Sequence, residues 1–197
     1  MNKINYDELM LKTLAGSQGK RLLLHSCCAP CSSYCLEQVS PVFQTTVFYY
    51  NPNLDGQEEY EKRKAEQIRF LRETGQAEFI DCGYDHNEFL NAARGLEGEK
   101  EGGARCEKCF FLRLDRTARL AKERAFDYFA TTLTVSPLKN AQLINEIGFA
   151  LQEKYGVNYL PSDFKKRGGY LKSIELSRQY NLYRQNYCGC EFSKPQE

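Results

Sequence analysis

Apolar positions along the chain fall in short runs separated by longer amphipathic stretches. Residues 6–15 carry a helical stripe, and residues 21–26 (RLLLHS) are apolar enough to predict a buried strand. Pro30 suits the first turn of a helix running to about Val39. Residues 42–50 (VFQTTVFYY) are β-branched and aromatic, which predicts a second strand, and Asn51-Pro52-Asn53 breaks it. Residues 57–74 are strongly charged but keep Ile68 and Leu71 in helical register, with Gly75 placed to end the helix. A third strand is expected over 77–82 (AEFIDC) and a helix over 85–94. The Gly-rich charged loop 95–105 leads into a long helix beginning near Cys106, whose inward stripe reads Cys106, Phe110, Leu114, Ala118 and Ala121. A fourth strand at 127–132, the loop TVSPLKN, a helix over 141–154 and a short strand at 157–160 follow. The tail from Asp163 is basic and aromatic, and no repeat or low-complexity segment interrupts the chain.

Strands alternating with helices predict an α/β fold: a mainly parallel sheet with helices on both faces. Over residues 1–197 this reads as a single α/β domain, with a basic, aromatic, Cys-containing C-terminal segment at about 163–197. Sites in such sheets lie beyond the carboxyl ends of the strands. The loops after the first and fourth strands, holding Cys27-Cys28 and Ser136 to Asn140, are at that edge.

Composition narrows the chemistry. The chain has 197 residues, 42% hydrophobic, with 12 Phe and 13 Tyr, which is enough to fill a core. With 27 basic and 26 acidic residues the net charge is +1, so a nucleic-acid site would have to be a local patch. The first residues have no continuous apolar stretch of the signal-peptide kind, and no run approaches the ~18 apolar residues of a membrane span. A cytoplasmic protein with no membrane partner is expected. Nine cysteines in such a chain point to metal or redox chemistry rather than a disulfide framework.

Those cysteines are grouped. The first group is His25-Ser26-Cys27-Cys28-Ala29-Pro30-Cys31, with Cys35 following. A nucleotide-binding fold usually places glycines in this first turn, to let backbone amides approach phosphate. Thiols here exclude an ATP-using relative on a similar sheet, and no ATP is expected. The second group, Cys106-Glu-Lys-Cys109, opens a helix; positions i and i+3 share a face, and the helix N-terminus favours thiolate. Two pairs of thiolates suit either a [4Fe-4S] cluster or a tetrahedral structural zinc, and spacing does not separate them. The third group is Cys188-Gly189-Cys190, where a bond across one residue would be strained and easily reduced. Core packing is the simplest reading for Cys35 and Cys82. Cys31 stays open as a ligand to a second metal.

The segments HSCCAPCSSYC, VFYYNPN, EEYEKRKAE, GLEGEKEGGARCEKCFFLRL, FATTLTVSPLKN, LPSDFKKRGGY and YRQNYCGCEFS, in this order, resemble the QueH family of epoxyqueuosine reductases over nearly the full length. The resemblance implies an iron–sulfur oxidoreductase that reduces epoxyqueuosine in the tRNA anticodon loop to queuosine, the last step of queuosine biosynthesis, without cobalamin. It implies a Rossmann-like three-layer architecture of the HUP/PP-loop kind. Carried over by position, Cys27, Cys28, Cys106 and Cys109 would hold the [4Fe-4S] cluster, and Cys188 and Cys190 would form a redox-active disulfide. Where some members carry Asp after the CCAP motif this chain has Cys31, so a second mononuclear iron would meet sulfur in place of oxygen. The other reading is a zinc-braced tRNA-binding module without redox activity.

Removing an epoxide oxygen needs two electrons and two protons, from an electron donor that sequence does not identify. His25, Tyr187 and Asp163 are candidate proton donors. Anticodon-loop bases are read by aromatic and Arg contacts, and the backbone by Lys and Arg. Lys165, Lys166, Arg167 and Arg184 are therefore the RNA-binding candidates, with Lys139 and Asn140 beside them.

Overall fold

The computed structural model describes residues 4–194. Within them, five strands form one sheet: β1 (Arg21–Ser26), β2 (Gln44–Tyr49), β3 (Glu78–Asp81), β4 (Tyr128–Thr131) and β5 (Asn158–Tyr159). Every pairing is parallel and the spatial order is β3-β2-β1-β4-β5. Seven helices accompany it: α1 (Tyr6–Ala15), α2 (Ala29–Val39), α3 (Gln57–Thr74), α4 (His86–Ala93), α5 (Ala104–Glu123), α6 (Ala141–Tyr155) and α7 (Gly169–Gln179). This is the expected α/β fold, and the sequence elements map onto it within a few residues.

β1 is central, and all of it after Arg21 is buried, as a parallel strand covered on both faces must be. Its side chains alternate between two cores. Leu22 and Leu24 pack with Met10 of α1, Leu36 of α2, Phe70 of α3 and Leu176 of α7. Leu23 packs on the other face with Leu114 of α5, Ile144 of α6, Phe129 and Tyr159. The result is a Rossmann-like stack of three layers. Each such buried leucine is worth about 1.5–3 kcal/mol of transfer free energy.

Local signals agree with the stack. Asn5, Asp85 and Asn140 cap α1, α4 and α6, each accepting a backbone N–H. Pro30 sits in the first turn of α2, and α3 ends at Gly75. Two expectations change. The tail is not only a basic, aromatic segment: residues Gly169–Gln179 form α7, which packs on α2 and adds Leu176 to the core. Its approach requires Gly169, because a Cβ there would lie 1.9 Å from the Phe164 carbonyl oxygen and 2.3 Å from the Tyr34 ring. Second, the buried face of α3 is Tyr60, Arg63, Gln67, Phe70 and Leu71, with Ile68 only half-buried. Two polar residues on that face matter for the site. No helix among the described residues is long and apolar enough to cross a membrane.

Candidate thiol and metal centre

The polypeptide leaves β1 at Ser26 and enters α2 at Ala29, so Cys27 and Cys28 occupy the turn at the carboxyl edge of the central strand. This is also where the strand order reverses, between β1 and β4, the place where open parallel sheets bind ligands. Cys28 is the N-cap residue of α2, in extended conformation, and its side chain makes no capping bond. Its sulfur instead lies 3.8 Å from that of Cys27. Cys31, in the first turn of α2, completes a trio whose sulfur atoms all lie within 4.8 Å of one another. Cys35, one turn on, is fully buried in the core, as the sequence suggested.

The trio shares charge unevenly. Hydrogen bonds from Cys28 and Cys31 hold the Cys27 thiol well below the usual range, against the opposing effect of burial; Lys139 and Arg113 assist. The Cys28 and Cys31 thiols are pushed up, chiefly because they serve Cys27. Three sulfur atoms gathered at this spacing are a soft-metal donor set. Burial works against the charge of Lys139, but Cys188, Cys27 and Cys31 outweigh it and hold the ammonium above the usual lysine range.

The second group of thiols stands at the start of α5. Arg105 anchors the Gly-rich loop by donating from Nη1 to the carbonyls of Leu96, Glu97 and Glu99 at 3.1, 2.8 and 2.6 Å. That loop returns an N–H from Gly102 to the Cys106 sulfur at 3.2 Å. Cys109 is buried one turn later, beside Cys190, Phe89 and Ala93, and burial pushes its thiol up to about 12. Cys106, Cys109, Cys188 and Cys190 line one narrow gap. Cys188 also lines the main cavity, of about 520 Å³, together with Cys27, Cys28 and Cys31. Cys188 is thus the cysteine that the cavity and the gap share. All nine cysteines are free thiols, so Cys188 and Cys190 are not bonded in this structure.

Several residues that shape the site escaped the sequence reading. Arg113 is fully buried on α5, four residues after Cys109. Its Nη1 donates to Asn51 Oδ1 at 3.4 Å, and its Nε and Nη2 have no acceptor. Arg63 of α3 pairs with Glu59 at 2.6 Å, and its Nη2 is also without an acceptor. Gln67 Oε1 accepts from Ser26 at 2.9 Å and Ser32 at 3.0 Å, bracing the Cys27-Cys28 turn. The available signal was polar residues on helix stripes: Arg113 continues the Cys106-Cys109 face, and Arg63 and Gln67 share the face of Tyr60 and Phe70.

The proton-donor candidates separate. His25 is fully buried and both ring nitrogens are engaged, Nδ1 with Thr131 Oγ1 at 3.0 Å and Nε2 with the Tyr50 carbonyl at 3.1 Å. Since a carbonyl only accepts, Nε2 carries the proton and Nδ1 accepts from Thr131. Burial lowers its pKa to about 3, so it is a neutral strap between strands rather than a donor to substrate. Asp163 lies in a separate groove with Lys165 and Lys166. Tyr187 lines the main cavity. Of the RNA candidates, Arg184 is at the cavity beside Tyr170, 5.5 Å from its ring centre. Lys139 lines both the cavity and the groove, and Asn140 the groove. Arg167 is engaged elsewhere, paired with Asp7 of α1 at 3.0 Å.

Comparison with known proteins bears on this arrangement. A family model described as epoxyqueuosine reductase QueH matches residues 22–196. Among curated relatives, the epoxyqueuosine reductase QueH of Streptococcus pyogenes is 44% identical over 97% of this chain and 78% of its own length. That of Staphylococcus epidermidis is 44% identical over 97% and 85%, and that of Thermotoga maritima 37% identical over 87% and 89%. Among solved structures, the U34-tRNA thiolase NcsA from Methanococcus maripaludis with its [4Fe-4S] cluster superposes with a TM-score of 0.57 at 12% identity, covering 95% of this chain and 69% of that one. At that identity the likeness is one of fold.

Proposed function

The chain belongs to the epoxyqueuosine reductase QueH family, and from that premise we propose that it reduces epoxyqueuosine in a tRNA anticodon loop to queuosine at the cavity described above. The reaction is a two-electron reduction: both C–O bonds of the epoxide break, an alkene forms, and two protons carry the oxygen away as water. The observation that carries the reading is the gathering of seven cysteines on two spaces that share Cys188: Cys27, Cys28 and Cys31 on the main cavity, and Cys106, Cys109 and Cys190 on the narrow gap.

In this reading Cys27, Cys28, Cys106 and Cys109 hold a [4Fe-4S] cluster, and a second mononuclear iron at Cys31 is the finer alternative for the trio. The residues fit such a group. The donors are soft sulfur ligands, supplied by the β1–α2 turn and the start of α5. A cluster held by four thiolates is also anionic, and Arg113 and Arg63 supply buried N–H groups lacking acceptors. An unpaired buried charge is costly, so acceptor sulfur there would satisfy both sides. When bound, the cluster supplies single electrons. The chain's own residues do the rest. Cys188 and Cys190 act as a dithiol that stores an electron pair, releasing two protons as a disulfide forms. Tyr187 presents a hydroxyl at the cavity. Arg184, Tyr170 and Lys139 receive the loop nucleotides, and Gln67 keeps the CC turn in place. The electron donor is a separate partner, and the compartment is the cytoplasm, where tRNA and thiol-reducing conditions coincide.

The test is turnover. Anaerobically purified protein should be brown, and with a strong reductant it should convert epoxyqueuosine in tRNA to queuosine, read by nucleoside digestion and mass spectrometry. Unchanged nucleoside with iron-replete protein would overturn the activity. A colourless protein holding zinc would overturn the cluster.

A further inference from the structure

Arg113 is 1% exposed, yet a single one of its nitrogens has a protein partner. That contact, Nη1 to Asn51 Oδ1, is long at 3.4 Å, while Nε and Nη2 are buried without acceptors. Among the described residues, no carboxylate lies in ion-pair range of it. Buried arginines are nearly always paired. Arg63 illustrates the rule, since it keeps Glu59 as a counterion. Arg113 therefore has a charge and two N–H groups that the fold leaves unanswered. Its position indicates what answers them. It lies one helical turn beyond Cys109 and two beyond Cys106 on the same face of α5. It lines the gap that Cys106, Cys109, Cys188 and Cys190 also line.

We propose that Arg113 sets the reduction potential of the iron–sulfur centre: its free guanidinium N–H groups donate to the sulfur atoms of that centre, and its charge favours the reduced state. The inference rests on the cluster reading above. The physical basis is the change in charge. Accepting one electron makes a thiolate-bound cluster more negative by one unit. A fixed cation in a buried, low-dielectric setting stabilises that state more than the oxidised one. Hydrogen bonds to cluster sulfurs act in the same direction. Arginine suits the task better than lysine because its planar fork holds several donors at fixed angles and its charge does not titrate. Asn51 has a supporting part. Its Nδ2 donates to the Ser26 carbonyl at 2.9 Å, which fixes the Oδ1 that meets Arg113. The turn carrying Cys27 and the guanidinium are in this way tied through one amide.

The experiment is a redox titration of the full chain, followed by EPR of the reduced centre, for wild type, Arg113→Gln and Arg113→Lys. Iron and sulfide should stay at wild-type levels. The Gln variant should show a lower potential, with at least a tenfold loss in the one-electron reduction equilibrium, about 59 mV. The Lys variant, which keeps the charge but not the fork, should fall between. A second measurement needs no variant. In wild type labelled with guanidino-nitrogen-15 arginine, pulsed EPR should detect nitrogen coupling to the reduced centre. Unchanged potentials in both iron-replete variants, or no nitrogen coupling in wild type, would overturn the inference and leave the cluster reading standing. Should either substitution unfold the chain or shed the iron, the wild-type coupling decides alone. Failure of the cluster reading has a different signature, a wild-type protein without iron and sulfide, and it removes both.

Discussion

The carbonyl oxygen of Gly189 accepts a hydrogen bond from the Asp55 N–H at 2.9 Å, which pins the Cys188-Gly189-Cys190 segment to the turn after β2. Lys194 adds an ion pair to Asp55 at 2.5 Å. The segment is seated by its backbone, and the seat admits only glycine. Gly189 has φ +115°, and a Cβ there would meet Leu54 Cδ2 at 2.4 Å and Arg63 Nη1 at 2.9 Å. Gly189→Ala is therefore expected to destabilise the protein by about 1–3 kcal/mol and to cut turnover sharply. Urea denaturation and the queuosine assay check this; a wild-type midpoint would reject it.

The ligand assignment predicts selective metal loss. Cys106→Ala and Cys109→Ala should each lose iron, acid-labile sulfide and activity together. Cys35→Ala, in the core, should keep the iron. Cys31→Ser separates the two roles of the trio: loss of iron without loss of sulfide marks a mononuclear site there. Normal iron content in both α5 variants would remove those residues from the ligand set.

A different phenotype is expected for the CGC pair. Cys188→Ser and Cys190→Ser should retain the fold and a full cluster. Each should lose multiple turnover with a physiological reductant, while a strong chemical reductant restores part of it. Iron loss in these variants would move the pair into the metal site, and full turnover would leave it a packing feature.

Binding to tRNA should weaken as salt rises, because phosphate contacts release counterions. Arg184, exposed at the cavity, is expected to contribute, so Arg184→Ala should reduce the slope of log K against log salt by about 1. Arg167 is already paired with Asp7, and Arg167→Ala should leave that slope nearly unchanged. Filter binding between low and moderate salt measures both, and the reverse pattern would move the RNA path to the α1 side.

Asp81 offers a pH test. Its partial burial favours the neutral acid, but hydrogen bonds from Tyr60 at 2.5 Å, Lys64 at 3.0 Å and the Gly83 N–H at 3.1 Å prevail and hold its pKa below the usual value. A carboxylate depressed in the folded state stabilises it above the unfolded pKa of about 3.9 and loses that contribution as pH falls through the folded value. Asp81→Asn should cost about 1–2 kcal/mol at pH 7, a figure that allows for its solvent-accessible edge. The gap between variant and wild type should narrow as pH falls below about 3.9. Denaturation midpoints at pH 7 and pH 3 are the measurement, and a gap as wide at pH 3 as at pH 7 would reject it.

Much of this protein can be read without coordinates. Runs such as Leu22 to Leu24 and Val47 to Tyr50 mark buried parallel strands, since a strand covered on both faces must be apolar throughout. Pro30, Gly75 and Asn140 mark helix ends because their backbone and capping preferences are local. The grouping of thiols at the sheet edge was legible too, because thiols replace glycines in the first strand–helix turn and pair at i and i+3 on α5. Tertiary structure alone decided what those thiols meet. Which sulfurs approach Cys27 depends on the extended backbone of Cys28 at the start of α2. Whether Arg113 faces solvent or lies buried without an acceptor depends on how α5 packs on the sheet. The roles of Arg167, held by Asp7 160 residues away, and of α7, docked on α2 through Gly169, rest on contacts between segments far apart in sequence. Local preference and periodicity report what a segment can become. Burial, pairing and charge environment are set by the neighbours that folding brings, and those neighbours are not encoded in the spacing of any one segment.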